Sequence, residues 1–234
     1  MIPNFEGILS YRKVNKTPPQ GSLSLPILGC EFWLLPQKAL FRPDDNLLII
    51  SDLHIGKAAH FRKHGIAVPA LVNRNNFWNL SGLFDYLLPE RVLFLGDLSH
   101  SDFNAEWRDF ADFLALYPAI RFELVTGNHD ILSPEYYAEA GIISLPALLE
   151  DRYGFIHDGA ARAEDSSRFY FSGHIHPAVR LYGKARQSAR VPCFWMNPDG
   201  MVLPAFGDFT GKHTIEPAKS DRVFVIAGNK CLEV

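Results

Sequence analysis

Cysteine is nearly absent from these 234 residues: only Cys30, Cys193 and Cys231 occur, an odd number. Their spacing suits neither a zinc knuckle nor a redox Cys-x-x-Cys pair, so free thiols and a reducing compartment, the cytoplasm, are expected. Long apolar runs are missing too. Glu6 interrupts residues 1–10, leaving no signal-peptide core, and no later run approaches a membrane span. Nor is positive charge in excess. With 23 Lys and Arg against 26 Asp and Glu the formal net charge is -3, which excludes a chain that coats nucleic acid by charge alone. Any site for a polyanion must be local.

What is plentiful is apolar side chain, 47% of the residues, enough for a sizeable buried core. Residues 17–26 hold Pro18, Pro19, Gly21 and Pro26, so 1–26 is expected to be an irregular arm ahead of a single domain over 27–234. Residues 31–35 and 38–41 read as a hairpin around Pro36-Gln37, and Leu47-Leu48-Ile49-Ile50 as a buried strand. Phe77, Leu80, Phe84 and Leu87 predict a helix over 73–88, followed by a strand over 91–95. The alternation repeats, with a helix over 103–117 stopped by Pro118 and a strand over 121–125. Strand, helix, strand, helix, strand is the order of a parallel, right-handed crossover sheet. After a short helix at 134–140 the pattern turns to strands alone, at 153–156, 168–172, 179–182, 191–195, 201–203 and 223–226. A second sheet packed on the first follows, hence an α/β fold with two sheets.

The polar residues of interest fall where strands give way to loops. Asp52 and His54 follow the first core strand, Asp97 the second, and Asn128 and His129 the third; His157, and then His174 and His176, follow strands of the second half. In open parallel sheets such positions converge on the crevice at the carboxyl ends of the strands. Each motif alone is weak: Asp-x-His is an ordinary loop pair, Gly-Asp a turn, Gly-Asn-His-Asp a polar turn with a cap. Gly-His-Ile-His points two imidazoles the same way only in extended chain. All of them in order, at successive strand ends, are not explained as separate accidents.

Seven oxygen and nitrogen donors with no thiolate suit borderline divalent metals such as Mn, Fe or Zn, and are too many for one tetrahedral ion. Two ions about 3.5–4 Å apart, bridged by a carboxylate, would use all seven and clamp the oxygens of a phosphoryl displacement. Asp97, alone on its strand end and central in order, is the expected bridge. For the position given to His157, His213 and His100 are the alternatives, and His100 is otherwise expected beside the site, behind a ligand or as a substrate contact.

The ordered set Asp52-x-His54, Gly96-Asp97, Gly127-Asn128-His129-Asp130, His157 and Gly173-His174-x-His176 resembles the calcineurin-like metallophosphoesterase superfamily, over residues 45–180 or so. The resemblance implies a sandwich of two sheets flanked by helices, with a dinuclear site at the sheet rim. It also implies one ion on Asp52, His54, Asp97 and His176, and a second on Asp97, Asn128, His157 and His174. His129 would be the histidine outside the coordination shell that contacts the phosphate and protonates the leaving oxygen.

Residues 51–69, which run Ser-Asp-Leu-His-Ile-Gly-Lys-Ala-Ala-His-Phe-Arg-Lys-His-Gly-Ile-Ala-Val-Pro, make a closer likeness. They are similar to the bacterial ligase-associated DNA damage response endonucleases, as are Pro-Ala-Phe-Gly-Asp-Phe-Thr-Gly at 204–211 and Val-Ile-Ala-Gly-Asn at 225–229. That group implies a manganese-dependent phosphodiesterase acting on DNA in repair, functionally associated with a DNA ligase and a helicase. The charge pattern agrees. Residues 53–84 hold no acid while Lys57, Arg62, Lys63 and Arg74 are basic, and residues 177–190 repeat this with Arg180, Lys184, Arg186 and Arg190. Lys57, Arg62, Lys63 and His100 are therefore candidate substrate contacts on a phosphate backbone. A small-molecule or nucleotide phosphoesterase would share every metal ligand. A non-catalytic scaffold on this fold is a third class, disfavoured because the ligand set and the acid histidine are all present.

Overall fold

The apolar runs at 47–50 and 91–95 are strands covered on both faces. The computed structural model describes residues 17–57, 72–161, 167–183 and 188–234. Among these, β1 (Leu23–Ile27), β2 (Cys30–Leu35), β3 (Ala39–Arg42) and β4 (Leu47–Ile50) pair antiparallel in sequence order. β5 (Arg91–Leu95), β6 (Arg121–Val125) and β7 (Ile142–Leu145) then continue the same sheet in parallel. The helices α1 (Val72–Leu87), α2 (Ala105–Ala115) and α3 (Pro134–Glu139) lie between the parallel strands in the chain. Alternate side chains part to the two faces. Leu48, Ile50, Val92 and Phe94 pack with Leu80, Phe84 and Phe110 of the helices, while Leu47, Ile49, Leu93 and Leu95 pack toward the second sheet. Burial on both faces is why the strands read as unbroken apolar runs.

That second sheet comprises β8 (Leu148–Leu149), β9 (Tyr153–Phe155), β10 (Phe169–Ser172), β11 (Pro177–Tyr182), β12 (Ser188–Asn197), β13 (Gly200–Val202), β14 (His213–Thr214), β15 (Arg222–Ala227) and β16 (Lys230–Glu233). Phe155, Phe171, Phe194 and Phe224 meet Phe32 and Leu34 of the first sheet in the layer between the two. The expected two-sheet α/β sandwich is the observed architecture. β1, β7, β8, β14 and β16 are not legible in the sequence. The irregular arm ends earlier than residue 26: Leu23 to Ile27 pair with β2, Leu25 and Ile27 are buried, and Pro26 is accommodated because β1 is an outer strand. Residues 1–16 lie outside the described residues. The helix expected over 103–117 is shorter because the Asn104 side chain accepts from the N–H groups of Glu106 and Trp107, fixing its start. Among the described residues no helix is long and apolar enough to cross a membrane.

Charge closes the end of the sandwich remote from the ligand loops. Arg42, at the end of β3, donates to Asp45 at 2.7 and 2.6 Å and to Glu150 beyond β8 at 2.7 and 3.1 Å. Its guanidinium lies 5.5–6.0 Å from the ring centroids of Tyr153, Phe32 and Phe155.

Phe171 is fully buried, with ring centroids 5.0 Å from Phe32 and 5.3 Å from Phe155. Phe171→Ala should destabilise the fold by about 3–5 kcal/mol in chemical denaturation. Trp78→Ala, at a position 80% exposed, should stay within about 0.5 kcal/mol of the parent. Equal effects would contradict the inter-sheet layer as the main source of stability.

Candidate metal centre

The two loops that leave β4 and β5 stay paired beyond their strands. Asp52 N–H donates to Gly96 O at 3.2 Å, His54 N–H to Asp97 O at 2.9 Å and Ile55 N–H to Leu98 O at 2.8 Å. This brings Asp52, His54 and Asp97 together at the carboxyl end of the first sheet. The second sheet supplies its share through the parallel pairing of β9 with β10, extended by Gly173 N–H on His157 O at 3.0 Å. The 204–211 segment joins the layers, with Phe206 N–H on Ser51 O at 2.8 Å and Gly207 N–H on Asp52 O at 3.2 Å.

Two groups of donors result. Asp52, His54 and His176 form one, and Asp97, His157 and His174 the other, the donor atoms within each lying within 4.8 Å of one another. His176 Nε2 is 3.2 Å from Asp52 Oδ1 and 3.4 Å from His54 Nε2. In the other group His157 Nε2 is 3.3 Å from Asp97 Oδ1 and 3.2 Å from His174 Nδ1. Asp97 spans both: its Oδ1 faces His157 while its Oδ2 lies 3.8 Å from His54 Nε2. Asn128 is exposed in the turn after β6, flanked by Gly127, whose N–H donates to Asp130, and His129, whose N–H donates to Asp97 Oδ1 at 2.9 Å.

The backbone at this rim is unusual. Asp52, His54, Asp97, His174 and His176 all have φ between 50° and 71°, the left-handed region. The expectation that His174 and His176 share an extended chain is therefore corrected: Ile175 N–H turns back onto Gly173 O at 2.9 Å, and the two rings enter different groups. The glycines of the motifs serve close approach. A Cβ at Gly96 would overlap the His157 ring, and one at Gly173 would overlap Ser51 and Asp52.

The donor chemistry fits divalent metal. Each group combines one carboxylate with two imidazoles, and the outer ring nitrogens are held from behind: His157 Nδ1 by Leu95 O at 3.1 Å, His176 Nδ1 by Gly211 O at 3.2 Å. A carbonyl on one nitrogen leaves the other aimed at its group, which is how metal-binding histidines are oriented. Neither carbonyl has a sequence signal. Burial drives His54 down to about 2, with the charge of Lys57 adding to it. Burial would also lower His157, yet the hydrogen bond and charge of Asp97 lift it to about 9. Burial works to raise Asp97, but His157 and the His129 N–H hold it well below the usual carboxylate range. Asp130, which anchors Ser99 and Gly127 by their N–H groups, is pushed up to about 6, chiefly by burial.

His129 belongs to neither group, and its ring centroid lies 4.3 Å from that of His100 and 5.5 Å from that of His54. His100 Nδ1 contacts His54 Nδ1 at 3.0 Å, so it stands behind a donor. His213 is exposed and in neither group; its backbone N–H donates to His176 O. Lys57 is half-buried and feels the charges of Asp97 and Asp52, while burial lowers its pKa overall. Arg62 and Lys63 lie outside the described residues.

No curated protein sequence matches the chain. Among solved structures it is similar to the Pseudomonas putida nuclease MPE, at 27% identity and a TM-score of 0.74 over 90% of this chain and 100% of that one. It also aligns with the E. coli phosphoesterase Yfce, at 14% identity and a TM-score of 0.42 over 80% of this chain and 97% of that one. The Calcineurin-like phosphoesterase family matches residues 46–178, more than half of the sequence and the part that carries the six residues of the two groups as well as Asn128 and His129. The chain belongs to the calcineurin-like phosphoesterase family.

Proposed function

We propose that this phosphoesterase is a metal-dependent phosphodiesterase that cleaves DNA, an endonuclease of DNA repair in the cytoplasm, functionally associated with a DNA ligase and a helicase. The observation that carries the two-metal part is Asp97, one carboxylate whose two oxygens face two separate three-donor groups. The likeness to a nuclease over nearly the whole chain supports the phosphodiester substrate.

In this reading Asp52, His54 and His176 hold one ion, Asn128, His157 and His174 hold the other, and Asp97 is shared. Oxygen and imidazole donors suit manganese, with iron or zinc as alternatives. When bound, the ions supply Lewis acidity toward phosphoryl oxygens and lower the pKa of a water nucleophile. His129, beside the donors but outside both groups, holds the proton that the departing sugar oxygen needs. Its place is set by its own N–H on Asp97 and by Asp130, which ties the turn down. Lys57 faces the substrate phosphate from the β4 loop, while His100, behind His54, reaches the substrate side only beside His129. Arg62 and Lys63 belong to the same proposal as backbone contacts.

Asp97→Ala should cost both ions, leaving fewer than one metal per chain by elemental analysis; two retained ions would put the shared carboxylate elsewhere. The proton on His157 must leave before its nitrogen can ligate, so metal affinity should rise about tenfold per pH unit from pH 7 toward 9 through this residue alone. A flat titration over that range would remove His157 from the ligand set. His129→Asn should keep its metals and lose DNA cleavage by roughly 10²–10⁴-fold, with a smaller loss on a nitrophenyl diester, whose leaving group needs no proton. Equal losses on both substrates would assign His129 to charge stabilisation instead.

A further inference from the structure

Two strings that supply no donor to either group, 204–211 and 225–229, converge on one cavity of about 290 Å³ beside His176. Ala205, Gly207 and Thr210 come from the first, Ile226 and Gly228 from the second, and Lys38 and Lys212 bring two cations to the same space. Lys38 sits in the β2–β3 turn, at the ligand end of the first sheet, with φ 64°. A glycine would adopt that conformation at less cost. Its Nζ reaches Asp208, a carboxylate that lines the cavity too, at 3.1 Å; burial lowers the lysine's pKa most, Asp208 opposes this, and the positive charge of Lys212 adds to the lowering. One carboxylate, Asp208, faces two lysines there, which leaves a positive charge for an anion to meet.

The cations do not stop at the cavity. Lys212 and Arg190 are interlocked, Arg190 Nη1 on Lys212 O at 3.1 Å and Lys212 Nζ on Arg190 O at 3.3 Å. Arg190 is in turn the direct cross-strand partner of Arg180 on the β11–β12 ribbon. Like charges so placed destabilise a ribbon unless an anion lies over them. Both arginines are exposed, neither forms an ion pair among the described residues, and Tyr182, 78% exposed, is next on the same face as Arg180.

We propose that the cavity beside His176 receives the nucleotide next to the scissile phosphate, its phosphate held between Lys38 and Lys212, and that the Arg180–Arg190 pair carries the same strand onward past Tyr182. This rests on the nucleic-acid reading above and gives it a direction: the strand leaves the metal centre on the His176 side, over the second sheet. The cavity has room for one sugar–phosphate unit, and an exposed tyrosine beside a basic track suits an unstacked base.

The test compares the metal-loaded parent with Lys38→Gly, Lys212→Ala and the double change Arg180→Ala with Arg190→Ala. Each is measured on a single-stranded DNA and on bis-p-nitrophenyl phosphate, which has no neighbouring nucleotide. For each variant the ratio of kcat/KM on DNA to that on the small diester should fall about tenfold, through KM, and the salt dependence of KM for DNA should lose about one unit of log–log slope per lysine removed. Lys38→Gly loses a partly exposed ion pair and gains a residue that suits the turn, so the thermal midpoint should stay within about 4 °C of the parent's. Unchanged ratios and slopes in a parent that cleaves DNA would overturn the cavity assignment and leave the nuclease reading standing. Equal losses on both substrates with falling metal content would overturn it too, making the lysines supports of the 204–211 segment. A parent that turns over the small diester but no DNA would defeat the nucleic-acid reading, and the track with it.

Discussion

Asp52 and Asp97 lie side by side because the pairing of β4 with β5 does not stop where the strands stop. Backbone bonds from Asp52, His54 and Ile55 to Gly96, Asp97 and Leu98 carry the parallel register into the two loops, and His100 N–H closes it on Ile55 O at 2.9 Å. A slip of one residue would turn the carboxylates to opposite faces and leave nothing for the histidines of the second sheet to meet. Every later contact assumes this register. The 204–211 segment docks on Ser51 and Asp52, and His174 donates its N–H to Asp52 at 3.1 and 3.3 Å.

The register is held against a local cost. Five of the six residues of the two groups occupy left-handed backbone without being glycine, a conformation that costs about 1 kcal/mol or more for each. Glycine would remove the cost and the donor atom with it. The surrounding packing must therefore over-determine these positions, as the buried strands before them do: Ile50, Phe94, Phe155 and Phe171 are almost wholly enclosed. Strain at the rim and rigidity below it are two sides of one arrangement.

Much of this was legible in the sequence because both-face burial gives unbroken apolar runs, and because the polar residues that end those runs have few other uses. Strand ends at Ile50, Leu95 and Val125 were read correctly for that reason. β1 was missed because Pro26 and its neighbours look like a loop until an outer strand position is known. β7, β8, β14 and β16 are short and partly exposed, so alternation has too few residues to register. The left-handed residues, the carbonyls of Leu95 and Gly211 behind His157 and His176, and the division of His174 and His176 between two groups all depend on what another segment places nearby. No local pattern encodes that.

Arg42 has a consequence at the far rim that its own contacts do not suggest. By gripping Asp45 from the first sheet's side and Glu150 from the second's, it rivets the layers at one end, while the interleaved donors rivet them at the other. A plate riveted at both ends resists shear, and shear is the motion that would carry His157 and His174 away from Asp52 and Asp97. Loosening the lower rivet would thus be felt as misalignment of the upper one, transmitted through a stack of aromatic rings, with no donor atom touched.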